Sequence, residues 1–373
     1  HISRSIGDQA RMTPWLIGAM ILGMLAASKS AQGAQAMIVG GQAMAAQSQL
    51  NFSRDMEREA DRIGYGVMSE AGFDTLGFVT MFGKLQQAAG LNDSGSFPYL
   101  RSHPLSSERM ADMQSRQQLQ TPRPANLESD LIQAMMSSRA RVLAQPGVDA
   151  LRAWANEAAD THIDKQVLTK RMGVLYGAAL SWMQLRDMKQ ARALIPRMQQ
   201  AAGGHATALR LIRLFESELA FKEDDMRAAL RALSATASLA NRQWPRPELI
   251  ALAQASARLH ATSSSVETAQ LLANSIAALQ ALVLQNPQDA QAWQVLATAL
   301  AAQGRPLASL RAEGEVQMAR MDFGAAVDRF RAAQDASRRG PAQMGDHIEA
   351  SIVDARLRFA QSIFREQMLE RDR

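Results

Sequence analysis

Apolar and polar positions in this chain of 373 residues follow helical spacing almost throughout. Ser53 to Ala71 reads as one long helix with a dense row of charges. Another helix begins near Ser107 and is ended by Gln120-Thr121-Pro122-Arg123-Pro124-Ala125, where two prolines in a polar run block its continuation. Beyond that boundary the chain becomes a series of Ala-rich helices separated by short polar turns, repeating loosely every 34 residues or so, about the length of a helix pair. The clearest unit sets Leu310 and Gly314 ahead of Phe323, Ala326, Phe330 and Ala333, an order of large, small, aromatic, small, aromatic and small residues. Another runs Leu175, Ala179, Trp182, Ala191, Ile195 and Met198, and a third places Asn286-Pro287 before Trp293, Leu296, Ala297 and Leu300. Helices between Gln200 and Ser264 fit the period badly.

This period is that of the tetratricopeptide repeat. A single helix pair cannot bury its apolar stripe, so neighbours are expected to stack into a curved solenoid. A generic helical bundle is the plainer alternative. The inner groove of a solenoid takes an extended peptide or a partner helix, and Arg-rich inner walls would favour acidic or C-terminal carboxylate groups. The expected fold is all-α, with residues 1–122 as one domain and 123–373 as a tetratricopeptide-like helical array.

Pro14 to Ala27 is strongly apolar but short: a membrane span needs ~20 residues. Lys29 interrupts it, and Ala31 to Leu50 is too polar to continue it. The preferred reading is two packed helices flanking an active site; a mobile apolar flap that touches membrane or substrate is the alternative.

Composition narrows the class. Hydrophobic residues make up 47% and charged residues 21%, aromatics are sparse and Ala is abundant, which favours helix. The net charge of +5 comes from Arg residues interleaved with acids, without a dense basic tract or a stacking platform, which argues against a nucleic-acid partner. Attraction to an anionic membrane surface stays open. The absence of Cys removes disulfides, thiolate metal sites and Cys nucleophiles, and leaves the compartment undetermined. His162, His205, His260 and His347 are scattered without metal-ligand spacing, and no Gly-rich phosphate loop is present.

The chemistry concentrates in Glu57-Arg58-Glu59-Ala60-Asp61 and, downstream, His103-Pro104-Leu105-Ser106-Ser107-Glu108-Arg109. Glu57 and Asp61 are one helical turn apart and share a face. Alone, such a helix reads equally well as a solvated charged face. A catalytic zinc takes three protein ligands and keeps a fourth position for water. In an HExxH helix two His bind the metal while the Glu acts as general base. A carboxylate from another helix completes that set, and each ligating His needs its second ring nitrogen held.

In this order the two blocks resemble the downstream half of the site in a family of membrane-linked and periplasmic zinc endopeptidases. That family includes the CAAX prenyl proteases, the heat-shock protease HtpX and the beta-barrel assembly-enhancing proteases. Glu57-Arg58-Glu59-Ala60-Asp61-Arg62-Ile63-Gly64 is similar to its ExxADRIG block, Gly72-Phe73-Asp74 to the turn after it, and His103-Pro104-Leu105 with Arg109 to its HPL segment. The resemblance implies zinc as cofactor, Glu57 as third ligand, and Asp61 as the partner of a His ring nitrogen. His103 would sit over the metal as oxyanion donor or as cap, with Arg109 beside it in the catalytic group, holding the His103 loop. The chain contains no HExxH, and His1-Ile2-Ser3-Arg4 resembles the segment just after that motif. The motif is therefore expected upstream of His1, and the chain by itself is expected to be inactive. The implied function is a periplasmic protease, membrane-associated or free, that degrades stalled outer-membrane proteins and meets the assembly machinery through its repeats. A non-catalytic tetratricopeptide adaptor is the alternative.

Overall fold

A computed structural model describes residues 56–91, 107–119, 126–160, 162–234, 244–339 and 346–371, and every regular element among them is helical. The chain divides into two compact units, His1–Pro124 and Ala125–Arg373.

In the first unit, α1 covers residues 56–70, α2 is Leu76–Leu91 and α3 is Ser107–Gln118. Helix α1 stops at Gly72, whose φ of 86° suits a residue without Cβ. There Phe73 N–H bonds back to Met68 O at 3.0 Å. Asp74 then accepts the Leu76 N–H at 2.9 Å and starts α2. Tyr65, Phe82 and Met113 form a small core, joined by Phe78, Val79, Leu85 and Met110. Phe78 meets Tyr65 and Phe82 edge-on, at 6.2 and 5.0 Å between ring centres.

The second unit runs α4 (Leu127–Leu143), α5 (Val148–Glu157), a 3-10 turn at Ile163–Lys165, α6 (Leu168–Gln184), α7 (Met188–Ala202), α8 (Ala206–Lys222), α9 (Met226–Ser234), α10 (Arg246–Thr262), α11 (Val266–Gln285), α12 (Ala290–Ala302), α13 (Pro306–Ala319), α14 (Phe323–Arg339) and α15 (Asp346–Arg371). From α5 onward each helix packs on its successor in the chain. Helices α4, α8, α10 and α13 also pack on the helix two places on. With one further contact, of α4 with α8, these are mostly contacts between near neighbours in the chain, as in stacked helix pairs.

One turn design recurs. Arg186, Asp224 and Met321 take positive φ, and the Asp that follows each (Asp187, Asp225, Asp322) caps the next helix by accepting the N–H of Gln190, Ala228 or Ala325. Gly304 makes the equivalent bend between α12 and α13 with φ 78°. Each turn closes with the N–H after the left-handed residue bonding back to the last turn of the preceding helix: Asp187 to Trp182, Asp225 to Ala220, Arg305 to Leu300 and Asp322 to Gln317.

Small residues let the paired helices approach. A Cβ on Gly314 of α13 would lie 2.6 Å from Cδ1 and 2.7 Å from Cζ of Phe330 on α14. Ala179 and Ile195 are both buried in the α6–α7 pair. Two details differ from the sequence expectation. The units carrying Trp293 and Gly314 share α13, which closes the first pair and opens the second. The region after Gln200 holds the same turn in α8–α9, with buried Ser217, Ala229 and Leu233 at the packing positions. Among the described residues, α11 is the helix long and apolar enough to cross a membrane by length and composition. Its Leu272, Ile276, Leu279 and Val283 are buried in the solenoid core. Pro14 to Ala27 lies outside the described residues.

Candidate active site

Helices α1 and α3 present matching rows to one another. Positions 57, 61 and 65 on α1 and 109, 113 and 117 on α3 each advance by about one turn. At one level Arg109 forks onto Asp61, with Nε to Oδ2 at 2.6 Å and Nη2 to Oδ1 at 2.7 Å. Its third nitrogen, Nη1, reaches Glu57 Oε2 at 3.1 Å. The Phe82 ring of α2 closes the far face, its centre 5.3 Å from the guanidinium carbon. Further along, one turn past Asp61 and two past Arg109, Tyr65 donates to Thr75 Oγ1 at 3.1 Å, and Thr75 donates to Gln117 Oε1 at 2.6 Å. Met113 lies fully buried between these levels.

The acids are sheltered. Asp61 is 5% exposed, Arg109 6%, and the Glu57 side chain 13%. Charges so placed need partners, because an unpaired buried ion costs several kcal/mol, roughly. By contrast Arg58 and Glu108 pair at 2.7 Å in the open. The solvated-face reading therefore applies to Arg58 and does not apply to Glu57 or Asp61.

His103 lies outside the described residues. The structure thus brings together three of the four expected site residues. Arg109, expected beside the His103 loop, makes these bonds to α1. Tyr65, Thr75 and Gln117 extend the cluster without belonging to any expected motif; the spacing of 61 to 65 and 113 to 117 is the signal in the sequence that points to them.

A zinc ion is the cofactor implied by the motifs. Among the described residues no three His, Cys, Asp or Glu converge to hold a metal. The cluster does suit one edge of a cation site, because Glu57 is an oxygen donor of the right chemistry. Glu57 would hold the metal and supply one ligand.

Residues 1–117 match the sequence profile of peptidase family M48, a span that contains Glu57, Asp61 and Arg109. This segment is similar to the M48 peptidases. Similar proteins include the beta-barrel assembly-enhancing protease of Yersinia pestis, 26% identical over 317 residues, covering 84% of this chain and 60% of that protein. The protein of that name in Escherichia coli K12 is 29% identical over 218 residues, 57% of this chain and 42% of its own length. The chain thus spans less than two thirds of these curated relatives. Within residues 1–117, Glu57 and Asp61 of α1 and their guanidinium partner on α3 are the expected site residues that the structure describes.

The solenoid unit carries its own set of Arg–acid pairs. Arg139 forks onto Glu218 at 2.8 and 3.1 Å and also reaches Tyr176 Oη at 3.2 Å. Burial works against its charge, but the Glu218 bonds outweigh it and raise its pKa. Burial raises the Tyr176 hydroxyl against the pull of Arg139. Arg210 pairs with Glu248, Arg246 with Asp289, Arg311 with Glu349, and Arg356 with Glu315. These five guanidiniums bond carboxylates of their own chain.

Proposed function

We propose that the full-length protein is a zinc-dependent endopeptidase of the bacterial periplasm that removes misfolded or stalled outer-membrane proteins. The observation that carries this reading is the M48 match over residues 1–117, with Glu57 and Asp61 both paired to Arg109. The names of the relatives support the link to outer-membrane protein assembly. In this reading zinc, when bound, supplies the Lewis acid and an activated water. Glu57 is a ligand, and His103 acts at the open side of the metal. The M48 domain occupies about the first 122 residues, and the rest is a tetratricopeptide-type array that receives substrate segments or assembly partners.

The array reading is supported by the Gly314–Phe330 contact and by the recurring left-handed turns with Asp caps. The test is proteolysis of an unfolded protein such as casein by the purified full-length protein, with and without a zinc chelator. Chelator-sensitive cleavage supports the reading. Chelator-insensitive cleavage, or none in a protein that holds zinc, counts against it.

A further inference from the structure

Arg109 touches both acids of α1, and the order of its bonds has a mechanical sense. A guanidinium is planar, with its N–H groups in a fixed fork. Two of those groups are taken by Asp61, which fixes the plane of the group. The remaining edge is thereby aimed at Glu57 Oε2. Phe82 lies over the guanidinium face, its ring centre 5.3 Å from the guanidinium carbon. Glu57 and Asp61 lie one turn apart, and two carboxylates that close repel each other. Arg109 removes the repulsion and ties both acids to α3. A Glu side chain has three rotatable bonds, and a metal ligand must be held to within about 0.5 Å to serve.

We propose that Arg109 is a positioning residue through which Asp61 holds Glu57. The inference rests on the metallopeptidase reading and adds to it. Asp61 then acts on the metal site by locking the guanidinium. Its influence should pass through Arg109.

A double-mutant cycle in the full-length protein tests this. The variants are Asp61→Asn, Arg109→Gln and the two combined. Zinc affinity is measured by competition with a chromophoric chelator, independently of proteolysis, and thermal melting of each apo-protein reports the fold. Each single change is expected to weaken zinc binding by ~10–100-fold, as loss of a supporting contact does. The double variant should be no weaker than the weaker single. Effects that multiply would show that the two residues act separately and overturn the relay. Should Arg109→Gln fail to fold, Asp61→Glu with Arg109→Lys gives a milder cycle that keeps both charges but breaks the fork. The same non-additivity is expected there, and multiplying effects again overturn the proposal. A wild-type protein that holds no zinc removes the metallopeptidase reading itself, and the relay falls with it; that result is distinct from multiplying effects in a zinc-holding protein.

Discussion

Replacing Gly314 by Ala should destabilise the solenoid, although Ala is the better helix former. Phe330 is fully buried, and its neighbours Ala326, Val327, Leu357 and Ala360 are buried with it. The new methyl would lie 2.6 Å from Cδ1 and 2.7 Å from Cζ, well inside van der Waals contact, and the ring has no open side to move into. Overpacking of this kind costs about 1–3 kcal/mol, and a closed site belongs in the upper half of that range. Exchange of Gly for Ala within a helix returns about 1 kcal/mol. The net loss is then about 1–2 kcal/mol, which lowers Tm by about 2–8 °C for a unit of this size. Circular dichroism melting at 222 nm of wild type and Gly314→Ala reads it directly. Phe330→Leu serves as control: with the ring edge gone, adding the Gly314 methyl should cost little, so the two changes couple. A Gly314→Ala protein that melts at or above wild type would refute the packing argument. So would an equal loss in the Phe330→Leu background.

Two other outcomes can be checked independently. The carboxyl of Asp289 lies below the usual range because Arg246 bonds it, and the Ala292 N–H adds to this. A depressed folded pKa gives stability that is complete above the unfolded value of about 4 and lost as pH falls through the folded value. Asp289→Asn keeps the helix cap and loses the charge, so its Tm deficit should be present near neutral pH and disappear in acid; a deficit that persists there would contradict the assignment. His103→Ala in the full-length protein should raise the cleavage rate if His103 caps the metal, which is the expected role. A fall of ~10²–10³-fold would make it a transition-state donor instead, and an unchanged rate would count against both roles.

The helical spacing of α1 is enough to place Glu57 and Asp61 on one face, because i and i+4 adjacency is a local property. The attachment of Arg109 to both is not legible in the sequence. It depends on how α3 lies against α1, and no spacing rule covers residues 48 positions apart. The solenoid shows the same division. Gly314 with Phe330 announces a close contact, since a small residue opposite an aromatic is a packing signal. The turns at Arg186, Asp224 and Met321 are hidden because the left-handed position there is not filled by Gly. The α8–α9 pair escapes the period because Ser217 stands where the pattern expects Gly or Ala. Composition alone cannot show that Glu218, Glu248, Asp289, Glu315 and Glu349 hold five of the Arg residues.

The most direct test of the central claim is the zinc content and casein cleavage of the full-length protein, measured for wild type and Glu57→Gln. A neutral amide is a poor zinc ligand, so the account predicts one zinc and chelator-sensitive cleavage in wild type, and loss of both in the variant. A Glu57→Gln protein that keeps its zinc and its full rate would contradict it.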